Sequence, residues 1–161
     1  MILVSVGTQK FQMNRLLQAV DQMEEHGMIR EPVLMQTGFS TYQPKHGTCV
    51  DFLSRDDMQQ KIASCSCLIC HAGVGTLLSG IKAGKKTIVM PRRKCYGEHV
   101  DDHQLEIAKA FECAGYVRVA EKQEQLEWEF LERMKWIPTA FVSNKEHFIQ
   151  LLLNLIGADH E

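Results

Sequence analysis

The sequence has 161 residues, of which 45% are apolar and 24% are charged, and its formal net charge is -2 at pH 7. This length suits one domain, predicted over residues 1–161, that buries its own core without disulfides or a structural metal. The slightly acidic balance gives no support to the basic surface that nucleic-acid binding needs, so we expect no nucleic-acid partner.

The amino-terminal residues MILVSVGTQK contain a short apolar run that no basic residues precede and no cleavage site follows. They therefore do not resemble a signal peptide. No stretch approaches the roughly 20 apolar residues of a membrane span. We expect a cytoplasmic protein, in which the six cysteines stay reduced.

Short apolar runs alternate with helical patterns along the chain, and this order is typical of an α/β domain. Strands are predicted at 2–6, 32–36, 48–52, 67–70, 87–90 and 116–119. Helices are predicted from Phe11 to Gly27, after Ser54, and at 74–83, 103–114, 123–135 and 145–156. The fold class that follows is a Rossmann-like, mostly parallel sheet flanked by helices, with strands covered on both faces.

Residues 65–76, CSCLICHAGVGT, fit two competing interpretations. Cys67-Leu-Ile-Cys70-His71 matches the C-x-x-C-H pattern of covalent haem attachment. The small residues that follow are typical of a turn whose backbone approaches a phosphate. Because the two residues between the cysteines continue an apolar strand, we interpret the cysteines as buried core residues and expect no haem.

Three segments follow the carboxyl ends of predicted strands, where ligands bind in open parallel sheets. They are 7–9 with Gly7 and Thr8, 71–76, and 92–104. Their convergence predicts one shared site more strongly than any of the three segments does alone.

The segment 71–76 combines glycines with the start of a helix. Gly73 and Gly75 allow close backbone approach, and a helix that begins near Val74 presents unpaired N–H groups to an anion. The sequence predicts that His71, Thr76 and the residues between them contact a diphosphate. A plain strand-to-helix turn is an equal alternative, since neither a P-loop nor a complete dinucleotide fingerprint is present.

The segment 92–104 concentrates polar side chains. Arg92, Arg93 and Lys94 suit phosphate, although a solvated loop explains them equally well. Asp102, His103 and Gln104 suit the hydroxyl groups of a sugar, and Asp102 also suits a helix N-cap. The histidines of this loop match no standard metal spacing, so we expect no metal site.

Several motifs together resemble the C-terminal, donor-binding half of glycosyltransferase family 28. They are Gly7-Thr8, HAGVGT at 71–76, AGK at 83–85, VMP at 89–91 and YGEHVDDHQLEIA at 96–108. The sequence is most similar to PssE/EpsE-type subunits of capsule and exopolysaccharide synthesis and to the catalytic subunit of the split eukaryotic dolichol-linked N-acetylglucosaminyltransferase.

The resemblance implies a GT-B enzyme divided between two polypeptides, of which this chain binds the UDP-sugar. Residues 71–76 would contact the diphosphate, and His103 and Gln104 would contact sugar or ribose hydroxyls. Gly7 and Thr8 would face the cleft between the two halves. One-chain relatives often carry a glutamate for the ribose where this sequence has Ser79.

The implied reaction is an inverting hexose transfer from a UDP-sugar to a polyprenyl-diphosphate-linked saccharide, without a metal or other cofactor. A membrane-associated partner subunit would bind this acceptor and hold the chain peripherally at the membrane. The acceptor hydroxyl needs a base, for which Glu98 and His99 are weak candidates in this chain.

Two further questions stay open in the sequence. The apolar helix predicted at 145–156 packs on its own sheet, docks on the partner, or mediates self-association into a homo-oligomer. A noncatalytic nucleotide-sugar-binding or scaffold subunit that enhances another transferase is the alternative function.

Overall fold

A computed structural model describes residues 1–142 as one parallel sheet with helices on both faces. The strands are β1 (Ile2–Ser5), β2 (Val33–Gln36), β3 (Thr48–Val50), β4 (Cys67–Cys70), β5 (Lys86–Val89) and β6 (Arg118–Val119). They lie in the order β3-β2-β1-β4-β5-β6, and each neighbouring pair is parallel. The predicted fold class is confirmed.

Five helices connect or follow the strands of this sheet within residues 1–142. They are α1 (Asn14–Glu25), α2 (Arg55–Ser64), α3 (Val74–Lys82), α4 (His103–Cys113) and α5 (Gln123–Glu132). A single 3-10 turn, Lys94–Tyr96, lies in the loop between β5 and α4. No helix of this part of the chain is both long enough and apolar enough to cross a membrane.

Successive side chains of a strand point to opposite faces of the sheet, and the core is divided accordingly. Ile2 and Val4 lie in the cluster that α1 and α5 cover, together with Val20 and Phe130. Leu3 lies in the cluster on the other face, under α2, α3 and α4. The helices therefore form one layer on each face of the sheet.

Strand β3 departs from the predicted burial on both faces. It forms one edge of the sheet, and its residues Thr48 and Cys49 are exposed. Residues 37–47 connect β2 to β3 as a loop without a helix, and this loop packs on α1. There, the buried Asp21 carboxylate accepts hydrogen bonds from the Tyr42 hydroxyl at 2.6 Å and the His46 backbone N–H at 2.9 Å.

Helix α1 begins at Asn14 rather than at the predicted Phe11. The carbonyl oxygens of Phe11 and Gln12 accept hydrogen bonds from Arg92 Nη1 at 3.1 and 3.2 Å. These tertiary contacts hold residues 11–12 outside the helix, so the amphipathic pattern placed its start too early. The helix predicted at 145–156 lies outside the described residues.

Candidate functional site

A cavity of about 410 Å³ opens at the carboxyl ends of the central strands. From β1 the chain adds strands toward one edge of the sheet, and from β4 it adds strands toward the other edge. The helices that follow these two strands, α1 and α3, accordingly pack on opposite faces. A crevice at such a reversal is where ligands bind in open α/β sheets. The predicted residues Gly7, Thr8, His71, 73–76 and Gln104 all lie in its lining.

The imidazole of His71 forms the floor of the cavity and is packed between two glycines. A Cβ atom on Gly7 would lie 2.5 Å from Nε2 of His71, and one on Gly73 would lie 2.9 Å from Cε1. Gly7 also has φ +79°, which favours glycine. A side chain at either position would displace the His71 ring. Both glycines are therefore needed to pack the histidine as well as to let a ligand approach the backbone.

His71 is only 6% exposed. Burial lowers the pKa of its imidazole from the ordinary value to about 4, and the positive charge of Arg92 acts in the same direction. Nδ1 lies 3.4 Å from the carbonyl oxygen of Ser5, which suits the tautomer with the proton on Nδ1. The ring is therefore neutral at pH 7.

The amino end of α3 supplies backbone donors to the same cavity. Gly73 is its N-cap residue, and no side chain caps the first turn. The first N–H groups of a helix have no partner inside the helix and favour an anion. A Cβ on Gly75 would meet nothing within 4 Å, so this residue leaves open space beside those donors.

Gln104, in the first turn of α4, ties the loops of two strands together. Its Oε1 accepts hydrogen bonds from the backbone N–H of Ala72 at 3.1 Å and of Arg92 at 3.2 Å. Because both partners are donors, the amide orientation is determined, and Nε2 is left as a donor at the cavity. Gln104 therefore joins the turn after β4 to the loop after β5 and leaves an N–H group at the cavity.

Arg92 does not line the cavity, contrary to the prediction that it contacts the donor. Its side chain is fully buried, and Nη2 donates to the Val6 carbonyl at 2.6 Å while Nη1 donates to the Glu98 carbonyl at 2.9 Å. With its bonds to residues 11–12, the guanidinium connects the loops after β1 and β5. Its two Nη atoms donate four hydrogen bonds to backbone carbonyls, so the guanidinium serves the fold.

The two weak base candidates also lie outside the cavity lining. The Glu98 carboxylate is buried and accepts hydrogen bonds from Arg15 Nη2 and the Arg93 N–H, both at 2.9 Å. His99 places Nδ1 2.8 Å from the Asp101 carboxylate. The structure gives both residues protein partners and brings neither of them to the cavity.

Of the three polar residues predicted at the start of α4, only Gln104 reaches the cavity. The Asp102 carboxylate accepts hydrogen bonds from the Lys94 backbone N–H at 3.0 Å and from Arg93 Nε at 3.1 Å, and it caps nothing. These contacts lower the pKa of the Asp102 carboxyl, and the hydrogen bond from the Lys94 N–H has the larger effect. The His103 side chain is 53% exposed and lies near Asp101 and Glu106.

Sequence reasoning missed Gln36 and Arg55, which also line the cavity. Gln36 ends β2 and donates from Nε2 to the Gly7 carbonyl at 3.1 Å. Arg55 begins α2, shortly after β3. The rule that singled out the carboxyl ends of strands applies equally to β2 and β3, so it contained the signal that would have found both residues.

The C-x-x-C-H pattern has no geometric basis for haem attachment. Cys67 lies in the cluster on one face of the sheet and Cys70 in the cluster on the other, because their spacing in a strand places them on opposite sides. Burial raises the pKa of the Cys67 thiol to about 12. No group of at least three His, Cys, Asp or Glu residues is placed to hold a metal within residues 1–142.

A second cavity, of about 510 Å³, lies between α2 and α3. Ser79, which stands where one-chain relatives often have a glutamate, lines it and donates its hydroxyl to the Gly75 carbonyl at 2.9 Å. The hydroxyl proton of Ser79 is therefore committed to the backbone of α3.

Comparison with known proteins identifies the family. The model of the glycosyltransferase family 28 C-terminal domain matches residues 1–153. The chain belongs to this family. The UDP-N-acetylglucosamine–N-acetylmuramyl-(pentapeptide) pyrophosphoryl-undecaprenol N-acetylglucosamine transferase of Solibacter usitatus is 31% identical over 86 residues, which are 53% of this chain and 22% of that protein.

Solved glycosyltransferase structures share the fold of this family 28 domain. The glycotransferase of kitacinnamycin superposes with a TM-score of 0.63 at 14% identity, covering 96% of this chain and 37% of its own. Os79 from O. sativa, solved in complex with UDP, gives a TM-score of 0.59 at 22% identity, covering 96% and 35%. The chain thus spans well under half the length of the proteins it matches.

Proposed function

We propose that this chain is the donor-binding catalytic subunit of a two-component inverting glycosyltransferase. It would transfer a hexose from a UDP-sugar to a polyprenyl-diphosphate-linked acceptor in capsular or exopolysaccharide synthesis. The observation that carries this proposal is the cavity between β1 and β4, into which the uncapped amino end of α3 opens. The bacterial relative that uses a pyrophosphoryl-undecaprenol substrate and the UDP complex of Os79 support it.

The amino end of α3 would stabilise the leaving group. Departure of UDP builds negative charge on the diphosphate, and fixed backbone donors stabilise that charge without reorganising. Because Gly75 has no Cβ and the space beside it is open, phosphate oxygens would reach the N–H groups of the first turn. The proposal includes no metal in this step.

Gln104 would contact the transferred sugar. Its Oε1 is held by two backbone N–H groups, so its Nε2 is aimed without freedom to rotate. A fixed amide donor distinguishes sugars by the position of their hydroxyl groups, because a buried donor without an acceptor is costly.

The base that activates the acceptor would come from a partner subunit. The lining contains no Asp or Glu from residues 1–142, and its histidine, His71, is a weak base because burial lowers its pKa to about 4. A membrane-associated partner that binds the lipid-linked acceptor would supply the base and place this cytoplasmic chain at the membrane surface.

Calorimetric titration with UDP and a panel of UDP-sugars tests donor binding. Gly75→Val fills the open space at α3 and should abolish UDP binding. Gln104→Glu keeps both bonds to Oε1 but removes the amide donor, so it should weaken the preferred UDP-sugar more than it weakens UDP. Absence of UDP binding by the wild-type chain would contradict the donor-site assignment.

The same lack of a base in the lining favours one alternative, a noncatalytic subunit that binds a nucleotide sugar and enhances another transferase. Transfer to a polyprenyl-diphosphate-linked acceptor, measured with the reconstituted pair, separates the two. Complete loss of transfer with Gly75→Val in a complex that still assembles supports catalysis by this subunit, whereas a fall only to the rate of the partner alone supports the alternative. Unchanged transfer supports the alternative.

A further inference from the structure

Arg55 is the charged side chain of the main cavity. Within residues 1–142, the ionisable side chains of the lining are Arg55 and His71, and His71 is neutral at pH 7. A guanidinium stays protonated throughout the physiological range. The cavity therefore carries one positive charge, and it is placed at the amino end of α2.

This guanidinium has no protein partner in the described part of the chain. No hydrogen bond or ion pair joins it to another residue there. The nearby acid Asp57 accepts the Ser54 hydroxyl at 2.6 Å instead. Arg55 differs in this respect from Arg15, whose donors are committed to carbonyls and a carboxylate, and from Arg92, whose two Nη atoms donate to backbone carbonyls.

Arg55 also lies where two cavities meet. The lining of the main cavity and that of the cavity between α2 and α3 share two residues, Arg55 and Gly75. One belongs to the first turn of α2 and the other to the first turn of α3. A ligand that extends from one cavity into the other passes between a free guanidinium and the backbone donors of α3.

We propose that Arg55 binds the diphosphate of the nucleotide-sugar donor from the side opposite to the amino end of α3. The inference rests on the proposed donor-binding function and adds the side chain that neutralises the phosphates. A guanidinium presents a planar set of donors that matches two phosphate oxygens at once. The cavities on either side of the junction leave room for the two ends of the donor.

Calorimetric titration of the full chain with UDP tests this assignment in three variants. Arg55→Gln removes the charge at an exposed position, Arg55→Lys keeps the charge without the planar donors, and Arg30→Gln is the matched control. Arg30 is exposed and precedes β2, at the end of the sheet opposite the cavity. Uridine, measured by competition with UDP, reports contacts to the nucleoside alone.

We expect Arg55→Gln to weaken UDP binding roughly 10- to 100-fold, the usual range for a charge-assisted hydrogen bond. Arg55→Lys should recover part of this loss, and Arg30→Gln should stay within about twofold of wild type. Uridine should bind wild type and Arg55→Gln equally. If uridine does not compete with UDP for either protein, the UDP titration alone decides whether Arg55 contacts the diphosphate.

Two results overturn the assignment while the proposed function stands. One is wild-type UDP affinity in Arg55→Gln, and the other is an equal loss for UDP and uridine, which places Arg55 on the nucleoside. Failure of the wild-type chain to bind UDP contradicts the proposed function itself, and the assignment of Arg55 fails with it.

Discussion

The turn after β4 and the loop after β5 leave the same edge of the sheet and carry equally ligand-like sequences, yet they behave differently. Residues 73–76 have small side chains and lie in the cavity lining at the uncapped start of α3. The loop at 91–103 carries long charged side chains that reach partners inside the protein, as Arg92 and Glu98 do.

The difference teaches which kind of residue predicts a ligand contact. A long charged side chain has many accessible partners, and a buried charge is stable only when those partners are found. Glycine has no side chain to satisfy the backbone near it, so its turn exposes donors to whatever enters. Charge in a loop is therefore weaker evidence for a phosphate site than a glycine-rich turn at a helix start.

The largest effect expected from this comparison is the loss of the Arg92 guanidinium. Arg92→Met leaves the carbonyls of Val6, Phe11 and Gln12 without their buried donor. We expect the free energy of unfolding to fall by about 4 kcal/mol, measured by urea denaturation. Lys94→Gln, in the exposed part of the same loop, should change it by less than about 0.5 kcal/mol. Equal effects would mean that Arg92 is not a structural residue.

Two neighbouring glycines provide the second test. Gly73→Ala places a Cβ against the His71 ring and should cost about 2 kcal/mol of folding free energy through overpacking. Gly75→Ala meets no atom within 4 Å and should stay within about 0.5 kcal/mol of wild type. Urea denaturation of both variants checks the prediction. A similar cost for both would contradict the packing of His71 between Gly7 and Gly73.

The buried histidine predicts a dependence of stability on pH. The unfolded chain takes up a proton on His71 below its ordinary pKa, whereas the folded chain does so only near pH 4. Stability is therefore lost as the pH falls from about 6.5 to about 4. Between pH 7 and pH 5, wild type should lose about 2 kcal/mol more than His71→Gln, by denaturation at both pH values. Equal losses would show that His71 is not held neutral by the fold.

The smallest effect is expected at the exposed start of α4. Asp102→Ala and His103→Ala should leave UDP-sugar affinity within about twofold of wild type, since neither side chain lines the cavity. Gln104→Glu is the positive comparison in the same calorimetric titration. If His103→Ala lowered UDP-sugar affinity as much as Gln104→Glu does, His103 would have to contact the donor.

Much of the site was predictable because its location follows from the ends of strands. The rule placed Gly7, His71 and Gly75 at one edge, and all three lie in the cavity lining. The same rule did not separate Gln104 from His103, its neighbour in sequence. Which of two adjacent side chains points inward depends on where a helix begins and what it packs against, and no local pattern contains that information.

The sequence by itself determined the order of strands and helices along the chain, the burial of Cys67 and Cys70, and the edge of the sheet at which the cavity opens. These properties follow from periodicity and from the short-range demands of a parallel sheet. Only the tertiary structure decided the role of Arg92, whose guanidinium meets the Val6 carbonyl across 86 positions of the chain. It alone also showed Arg55 to be unpaired, because pairing depends on distances between residues that the folded chain brings together.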